Sequence, residues 1–159
     1  GWARLEYGGR VRVGLDDFGN RLVGRVDEVR LPALGTRFKP GEESFILQRE
    51  GNEAGVKAPL QGVVTAVNQK LMDQPQCANA DPYSAGWVLL IDPFELKSDL
   101  KELCFGVDSV KFIEAEAERL LSMISDDPTA AAATGGEPIA DVYGAFKEMG
   151  WNTLVRSFI

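Results

Sequence analysis

The stretch from Glu43 to Pro59 constrains the fold of this chain most, because it predicts a β-hairpin. Three consecutive apolar residues, Phe45 to Leu47, favour extended backbone, and residues 54–58 alternate with the period of a strand. Between them, Gly51-Asn52 can take the positive φ values that a tight hairpin turn requires. The polar tip is therefore our first candidate for a working surface. The interaction candidates at this tip are Arg49, Glu50, Asn52 and Glu53.

Two pairs of side chains could have a functional role, but each could also serve only packing or solubility. Glu50 and Glu53 could form a carboxylate pair for acid–base chemistry, but charged residues also simply keep an exposed tip in water, and we adopt that interpretation. Tyr83 and Trp87 could line a ligand pocket. The adjacent Asp81-Pro82 indicates instead a turn whose aromatic residues pack the entry to a strand.

The composition indicates one compact domain with appendages. The chain has 159 residues, 45% of them hydrophobic, which is enough to form a real core. Its net charge of −7 argues against nucleic acid and anionic membranes as partners, because binding phosphate needs clustered Lys and Arg. No apolar run approaches the length that spans a bilayer. Cys77 and Cys104 are too few for a disulfide framework, so we expect free thiols in the cytoplasm, with Cys104 in the core.

The chain contains no histidine, which narrows the possible functions. Ser-His-Asp and Cys-His nucleophiles and histidine-ligated metal sites are excluded. Carboxylates, Lys, Tyr and Cys could still transfer protons, but no catalytic constellation is visible. We therefore predict that the chain is not an enzyme and holds no metal.

The first 93 residues predict short strands separated by turn residues. The predicted elements are a hairpin around Gly8-Gly9, a short helix at 16–22 with an Asp near its N-cap, strands at 24–31 and 86–91, a turn that leads into a strand across 59–68, a helical turn at 69–73 and an irregular loop at 74–84. The spacing Gly-x-Val-x-x-Val occurs at Gly24 and again at Gly62, which hints at two similar halves.

The pattern becomes helical after Phe94. Residues 95–103 and 107–124 predict two helices that complete the same domain at residues 94–125, and their acidic residues predict a solvated face. The apolar stripe of the second helix comprises Val110, Ile113, Ala117, Leu120, Leu121 and Ile124. Residues 126–136 contain a proline, an alanine run and Gly135-Gly136, and predict a mobile linker.

The tail, residues 137–159, is too apolar to be left in water. Ile139, Val142, Phe146 and Met149 fall on one helical face, which Gly150 is placed to end. Further apolar residues follow, so we expect the tail to dock on this domain, on a second copy or on another protein. The interaction candidates in the tail are Phe146, Trp151, Leu154 and Phe158.

Four motifs between Val11 and Leu103 resemble the H protein of the glycine cleavage system, and they occur in that family's order. Residues 11–18, VRVGLDDF, are similar to the family's "VRVGITDYA", and residues 31–35, LPALG, to its "LPEVG". Residues 58–68, APLQGVVTAVN, are similar to "APVSGEVVEVN". The most specific match is NADPYSAGW at residues 79–87, which is similar to "NEDPYGEGW".

The resemblance implies a mainly β fold, the lipoyl- or biotinyl-type barrel-sandwich hybrid. This fold has two small antiparallel sheets related by a pseudo-two-fold axis, here formed by residues 1–93 with α-helical C-terminal additions. In the family a lysine at the hairpin tip carries lipoate, which shuttles an aminomethyl group between the enzymes of glycine cleavage. Such an arm needs an exposed primary amine on a rigid turn.

The sequence departs from the family at that lysine. Aligned back from Ala58-Pro59, the lipoyl-lysine position falls on Gly51, and no lysine lies between Lys39 and Lys57. We therefore expect no cofactor and predict a non-enzymatic module for protein–protein interaction or scaffolding. The alternative is a true carrier with lipoate on Lys57 and glycine cleavage enzymes as partners. The tail could also make a homo-oligomer, and the sequence does not name the partner.

Overall fold

The computed structural model describes residues 1–125 and 139–159, so the predicted linker at 126–136 lies outside the described residues. The strands are β1 Trp2–Leu5, β2 Val11–Gly14, β3 Glu28–Arg30, β4 Arg37–Phe38, β5 Glu43–Arg49, β6 Asn52–Lys57, β7 Gly62–Val67 and β8 Leu89–Pro93. The α-helices are α1 Asp17–Val23, α2 Lys70–Asp73, α3 Cys77–Ala80, α4 Leu96–Asp99, α5 Val107–Ser125, α6 Val142–Ala145 and α7 Trp151–Leu154. Two 3-10 turns cover Leu100–Glu102 and Lys147–Met149.

The strands form two antiparallel sheets, as predicted. One sheet has five strands in the order β1-β2-β8-β7-β4, and the other has three in the order β3-β5-β6. The two Gly-x-Val-x-x-Val stretches lie in different sheets, since Val29 is in β3 and Val67 is in β7. The inward faces of β2 to β8 fill one core, whereas β1 has no buried residue. Its members include Val11, Val13, Phe45, Leu47, Val56, Val64, Leu89 and Ile91.

Helix α1 confirms the prediction of a capped helix after β2. The Oδ1 atom of Asp16 accepts a hydrogen bond from the Gly19 N–H at 2.8 Å, which satisfies an amide that the first turn leaves without a partner. Gly24 ends the helix with a φ of 64°, a conformation that glycine adopts without steric cost. This end of α1 faces the hairpin, and it becomes one wall of the candidate site.

Several elements differ in extent from the sequence prediction. The strand expected at 24–31 is reduced to Glu28–Arg30, and the loop expected at 74–84 contains the short helix α3. The helix expected at 95–103 is α4 followed by a 3-10 turn. The strand expected at 86–91 begins at Leu89. The two strands differ because a strand extends only where its backbone pairs with a neighbouring strand, here at residues 28–30 and 89–93.

Helix α5 confirms the helix predicted at 107–124, but not the whole of its apolar stripe. Leu120 and Ile124 are buried, whereas Val110 and Leu121 are 55% and 57% exposed. The stripe is wide, and a helix that packs on a barrel buries only the line of residues that touches it. Cys104, predicted to be in the core, is exposed because it lies in the connection before α5.

The tail does not form the single helix that its pattern predicted up to Gly150. Phe146 has φ −126° and ψ 45°, so it leaves the helical conformation directly after α6. A 3-10 turn follows, and Gly150 with φ 81° redirects the chain into α7. In the part of the chain that the structure describes, no helix is long and apolar enough to cross a membrane.

Candidate functional site

The hairpin formed by β5 and β6 is the centre of the candidate site. Its turn consists of Glu50 and Gly51, with φ values of 51° and 79°, and positive φ at both central residues is typical of a type I′ turn. The turn thus lies one residue earlier than predicted. Asn52 is already the first residue of β6 and pairs with Arg49. The Asp27 carboxylate accepts a hydrogen bond from the Glu50 N–H at 2.6 Å. Asp27 directly precedes β3, so this bond ties the turn to that strand.

Gly51 occupies the apex of the hairpin and is exposed. A Cβ atom built on it would meet no other atom within 4 Å, so there is room for a side chain at this position. The backbone discourages one, because a φ of 79° is a conformation that L-residues rarely adopt. The position that the resemblance assigns to a lipoyl-lysine therefore has room for a side chain but carries no amine that lipoate could acylate.

Lys57, the alternative attachment point, lies at the other end of β6. It is exposed and pairs with Glu43, the first residue of β5. It lies six positions after Gly51, which corresponds to about 20 Å along a strand. Lys57 borders cavities of about 380 and 360 Å³, and it shares both with Arg156 and Ile159 of the tail. An arm on Lys57 would thus start beside the tail and not from the turn.

The structure shows that the tail docks on this domain, and that it docks on the hairpin tip. All four candidates at the tip contact the tail, and Trp151 of the tail contacts the tip, whereas Phe158 packs against Phe18 and Arg119. Phe146, Trp151 and Leu154 are buried, and Phe158 is half-buried against the ring of Phe18 at 5.6 Å. Residues 139–159 therefore bury the apolar surface that the sequence left without a partner.

Arg49 is the most deeply buried charged residue at the tip. Its side chain is 9% exposed, and its guanidinium donates to both carboxylate oxygens of Asp141, at 2.6 and 2.8 Å. The same Nη1 atom donates to the Val23 carbonyl at the end of α1, at 2.6 Å. Paired N–H donors of this kind fit a carboxylate in one orientation, so Arg49 fixes the tail against both β5 and α1.

The other three tip candidates also contact the tail. Glu50 accepts from the Lys147 ammonium group at 2.6 Å, and the Asn52 amide donates to the Tyr143 hydroxyl at 3.3 Å. The indole N–H of Trp151 donates to the Glu53 carbonyl at 2.8 Å. Only the apex glycine takes no part in these contacts. The polar tip is thus paired within the chain, residue by residue.

An aromatic pair supports these polar contacts. The rings of Tyr143 and Trp151 meet edge to face, with centroids 4.9 Å apart, and the Arg49 guanidinium lies 5.1 Å from the Tyr143 centroid. Contacts of both kinds add to the attraction beyond the area they bury. They also hold Trp151 where its indole can reach the hairpin.

The charges at the interface reinforce each other. Burial alone would raise the pKa of Asp141, but hydrogen bonds from Arg49 and from the Gly144 N–H, together with the positive charges of Arg49 and Lys147, lower that pKa below its usual value. The hydrogen bond to Asp141 likewise raises the pKa of Arg49 against the effect of burial. Both groups are therefore charged at neutral pH, and the pair is intact there.

Sequence reasoning missed Asp141, Tyr143 and Lys147, which supply the tail's side of these contacts. One local signal was available for Asp141. It precedes a helical stretch and accepts the Gly144 N–H at 2.8 Å, which is an N-cap pattern. Nothing in the sequence connects it with a residue 92 positions earlier, because the pairing depends on the tertiary fold.

The remaining candidates have structural roles. Tyr83 accepts a hydrogen bond from the Asp17 N–H at 3.2 Å, and burial is the main cause of its raised pKa. Asn79 opens the most specific motif and donates to the Gly24 carbonyl at 2.8 Å, which holds the end of α1 beside the hairpin. Within residues 1–125 and 139–159, no group of three or more Asp, Glu or Cys residues could hold a metal ion.

Comparisons with known proteins assign the family. The model of the family described as "Glycine cleavage H-protein" matches residues 1–116 of this chain. The chain belongs to the glycine cleavage H-protein family. This confirms the recognition of the family from the sequence and the prediction that the chain is not an enzyme.

Two curated relatives and one solved structure show how far the similarity extends. The glycine cleavage system H protein of Xanthomonas campestris pv. campestris (strain B100) is 34% identical over 116 residues, 73% of this chain and 88% of that protein. Glycine cleavage system H protein 2 of Aquifex aeolicus (strain VF5) is 34% identical over 119 residues, 74% of this chain and 73% of that protein. A crystal structure of an H protein from Mycobacterium marinum aligns with a TM-score of 0.54 at 28% identity, and the alignment covers 58% of this chain and 77% of that one.

The family fold is therefore the lipoyl-type barrel-sandwich hybrid that we predicted. Within this H-protein family member, the match to the family model ends at Glu116, inside α5. Residues 139–159, which contact the hairpin tip, lie beyond the matched part. The hairpin thus belongs to the family fold, whereas the segment that covers it does not belong to the matched region.

Proposed function

We propose that this H-protein family member is a protein-interaction module that does not carry lipoate. The observation that carries the proposal is the glycine at the hairpin apex. Acylation by lipoate requires a primary amine, and Gly51 has no side chain. Arg49 cannot substitute, because its guanidinium stays protonated and is engaged by Asp141.

The surroundings of the apex support the same function. The space around Gly51 itself is open, but the four residues that flank it all contact the tail. These contacts are made to a polypeptide segment, so the residues of the tip already bind protein in the way that an interaction surface requires. The partners of such a surface are proteins. The free thiols of Cys77 and Cys104 fit a reducing compartment, and we propose the cytoplasm.

The alternative is a lipoylated carrier that works with the enzymes of glycine cleavage. Family membership favours it, and so does the exposure of Lys57. The position of Lys57, at the end of β6 away from the turn and bordered by Arg156 and Ile159, counts against it. We therefore keep it as the second candidate.

Intact mass separates the two candidates. The full chain should be expressed in cells with active lipoylation, together with the Xanthomonas campestris H protein as a control that the machinery is working. We expect the control to gain a lipoyl group and this chain to keep its unmodified mass. A lipoyl addition that maps to Lys57, and that disappears in Lys57→Arg, would refute the proposal and establish the carrier function.

A further inference from the structure

The tail lies in a groove that the rest of the chain forms beside the hairpin. One wall is the end of α1, where the Val23 carbonyl accepts from Arg49 at 2.6 Å. The other wall is the hairpin tip. At Gly24, between them, an added Cβ would overlap both the Asp141 carboxylate and the Arg49 guanidinium. The absence of a side chain at Gly24 is therefore what allows the carboxylate to reach Arg49.

The groove presents a fixed set of polar groups to whatever occupies it. The Arg49 guanidinium is held by Val23 and is aimed at a carboxylate, and the Glu53 carbonyl is aimed at an N–H donor. The tail supplies Asp141 to the first and Trp151 to the second. Leu154 and Val155, both fully buried, anchor the same segment. The groove is thus complementary to one segment of this chain in both charge and shape.

We propose that residues 139–159 act as an intramolecular cap, which closes this groove and keeps external proteins off the hairpin. The proposal rests on the proposed function and adds its regulation. A protein that grips the hairpin must contact the residues on both sides of Gly51, and the cap already contacts Arg49, Glu50, Asn52 and Glu53. Opening the cap converts the tip from an internal contact into an available surface.

A labelled peptide of residues 139–159 tests whether the groove is the cap's binding site. It should be titrated into the full chain and into the full-length variant Asp141→Ala/Trp151→Ala, whose own cap is weakened. We expect the variant to bind the peptide at least tenfold more tightly than the wild type does. Equal binding to both proteins, or binding to neither, would overturn the proposal. Circular dichroism verifies that the variant is folded, and Asp141→Asn serves as a milder second variant.

A lysine at the apex tests whether the cap excludes another protein. Gly51→Lys is introduced into the full chain in a Lys57→Arg background, and a lipoate–protein ligase is the probe. The ligase is given two proteins, one with Gly51→Lys and an intact cap and one that also carries Asp141→Ala/Trp151→Ala. We expect it to modify the second protein at least tenfold faster than the first. Equal rates, or no modification of either protein while the Xanthomonas campestris H protein is modified, would overturn the proposal.

These outcomes can be told apart from failure of the proposed function. That function fails if the unsubstituted chain gains lipoate at Lys57, which intact mass detects without any change at the cap. The cap proposal fails if weakening Asp141 and Trp151 leaves both the peptide affinity and the modification rate unchanged. Asp108→Asn is the matched control, because Asp108 is an exposed aspartate in the first turn of α5, away from the hairpin tip.

Discussion

At the scale of single residues, Arg49 determines the state of the hairpin tip. A buried guanidinium is costly unless an anion and hydrogen-bond acceptors surround it. Here Asp141 supplies the anion and the Val23 carbonyl supplies a further acceptor. Because Arg49 lies beside the apex and Asp141 lies in the tail, one side-chain pair joins the family fold to the segment beyond it.

Replacing Asp141 with Asn should weaken this junction. The change keeps the size of the side chain but removes its charge, so Arg49 is left with a poorer partner. Because Asp141 remains 40% exposed, we expect a moderate loss of about 1–2 kcal/mol in the free energy of unfolding at pH 7. Urea unfolding measures it. Asp108→Asn should change the stability by less than about 0.5 kcal/mol, and an equal loss in both variants would contradict the role of Asp141.

The same pair predicts a dependence on acid. The pKa of Asp141 is lower in the folded chain than in the unfolded one, so its stabilising contribution is complete above its unfolded pKa. The contribution is lost as the pH falls through the folded pKa. We therefore expect the stability difference between the wild type and Asp141→Asn to be constant at neutral pH and to shrink below about pH 4. A difference that grows on acidification would contradict this assignment.

The apex glycine also makes a testable contribution. Gly51 has a φ of 79°, so Gly51→Ala should cost about 1 kcal/mol in the free energy of unfolding. Asn tolerates this conformation better than Ala, and Gly51→Asn should cost less. Thermal unfolding of the two variants gives the comparison. If Ala were as stable as Gly at this position, the turn would not have the geometry described above.

At the scale of elements, α5 shows that a periodic pattern predicts a helix but not which of its apolar residues are buried. The pattern predicted the helix and the width of its apolar stripe, but it did not distinguish Leu120 from Leu121. Leu120 is 8% exposed and Leu121 is 57% exposed, because only one line of residues along the helix packs against the buried core. Period and composition are local properties of a sequence, whereas the line of contact depends on residues far away in the chain.

Two adjacent leucines therefore form a matched pair for experiment. Leu120→Ala should lower the free energy of unfolding by about 2–5 kcal/mol, because it leaves a cavity under the helix. Leu121→Ala removes an exposed side chain and should change the stability by no more than about 0.5 kcal/mol. Both changes have the same effect on helix propensity, so the difference reports burial alone. Similar losses in both variants would mean that α5 packs on another face.

The hairpin and the tail were each predicted from sequence, but their contact was not. Alternation and turn residues revealed β5 and β6 to within one residue of the turn, and the apolar residues of the tail showed that it must be covered. The interface is made by side chains separated by about ninety residues, such as Asn52 and Tyr143. Such pairs leave no local pattern, so the three possible docking partners stayed open until the fold was known.

Trp151 tests how the tail is coupled to the rest of the molecule. Trp151→Ala removes the indole that contacts Tyr143 and Glu53, and substitutions of this kind cost about 3–5 kcal/mol. We expect faster amide hydrogen exchange in α6, α7 and the tip, with slow exchange retained in β2, β7 and β8. Faster exchange throughout the barrel would show that the tail and the barrel unfold as one unit.

At the scale of the whole molecule, the chain has the H-protein fold, and its hairpin tip contacts residues 139–159. Residues 1–116 match the family, and residues 139–159 contact the hairpin tip, where the sequence resemblance leads us to expect a lipoyl-lysine. The tip at which the resemblance leads us to expect a lysine is the same surface that residues 139–159 contact. We infer from this coincidence that the tip now recognises protein, first of all its own tail.

The indole N–H of Trp151 reports this central contact most directly. In an NMR spectrum of the full chain, its resonance should exchange slowly with solvent, because it donates to the Glu53 carbonyl and is buried. Asp141→Asn should accelerate that exchange, while Asp108→Asn should leave it unchanged. If the Trp151 indole instead exchanges as fast as a free indole in the wild-type chain, the tail does not cover the hairpin, and this account of the molecule is wrong.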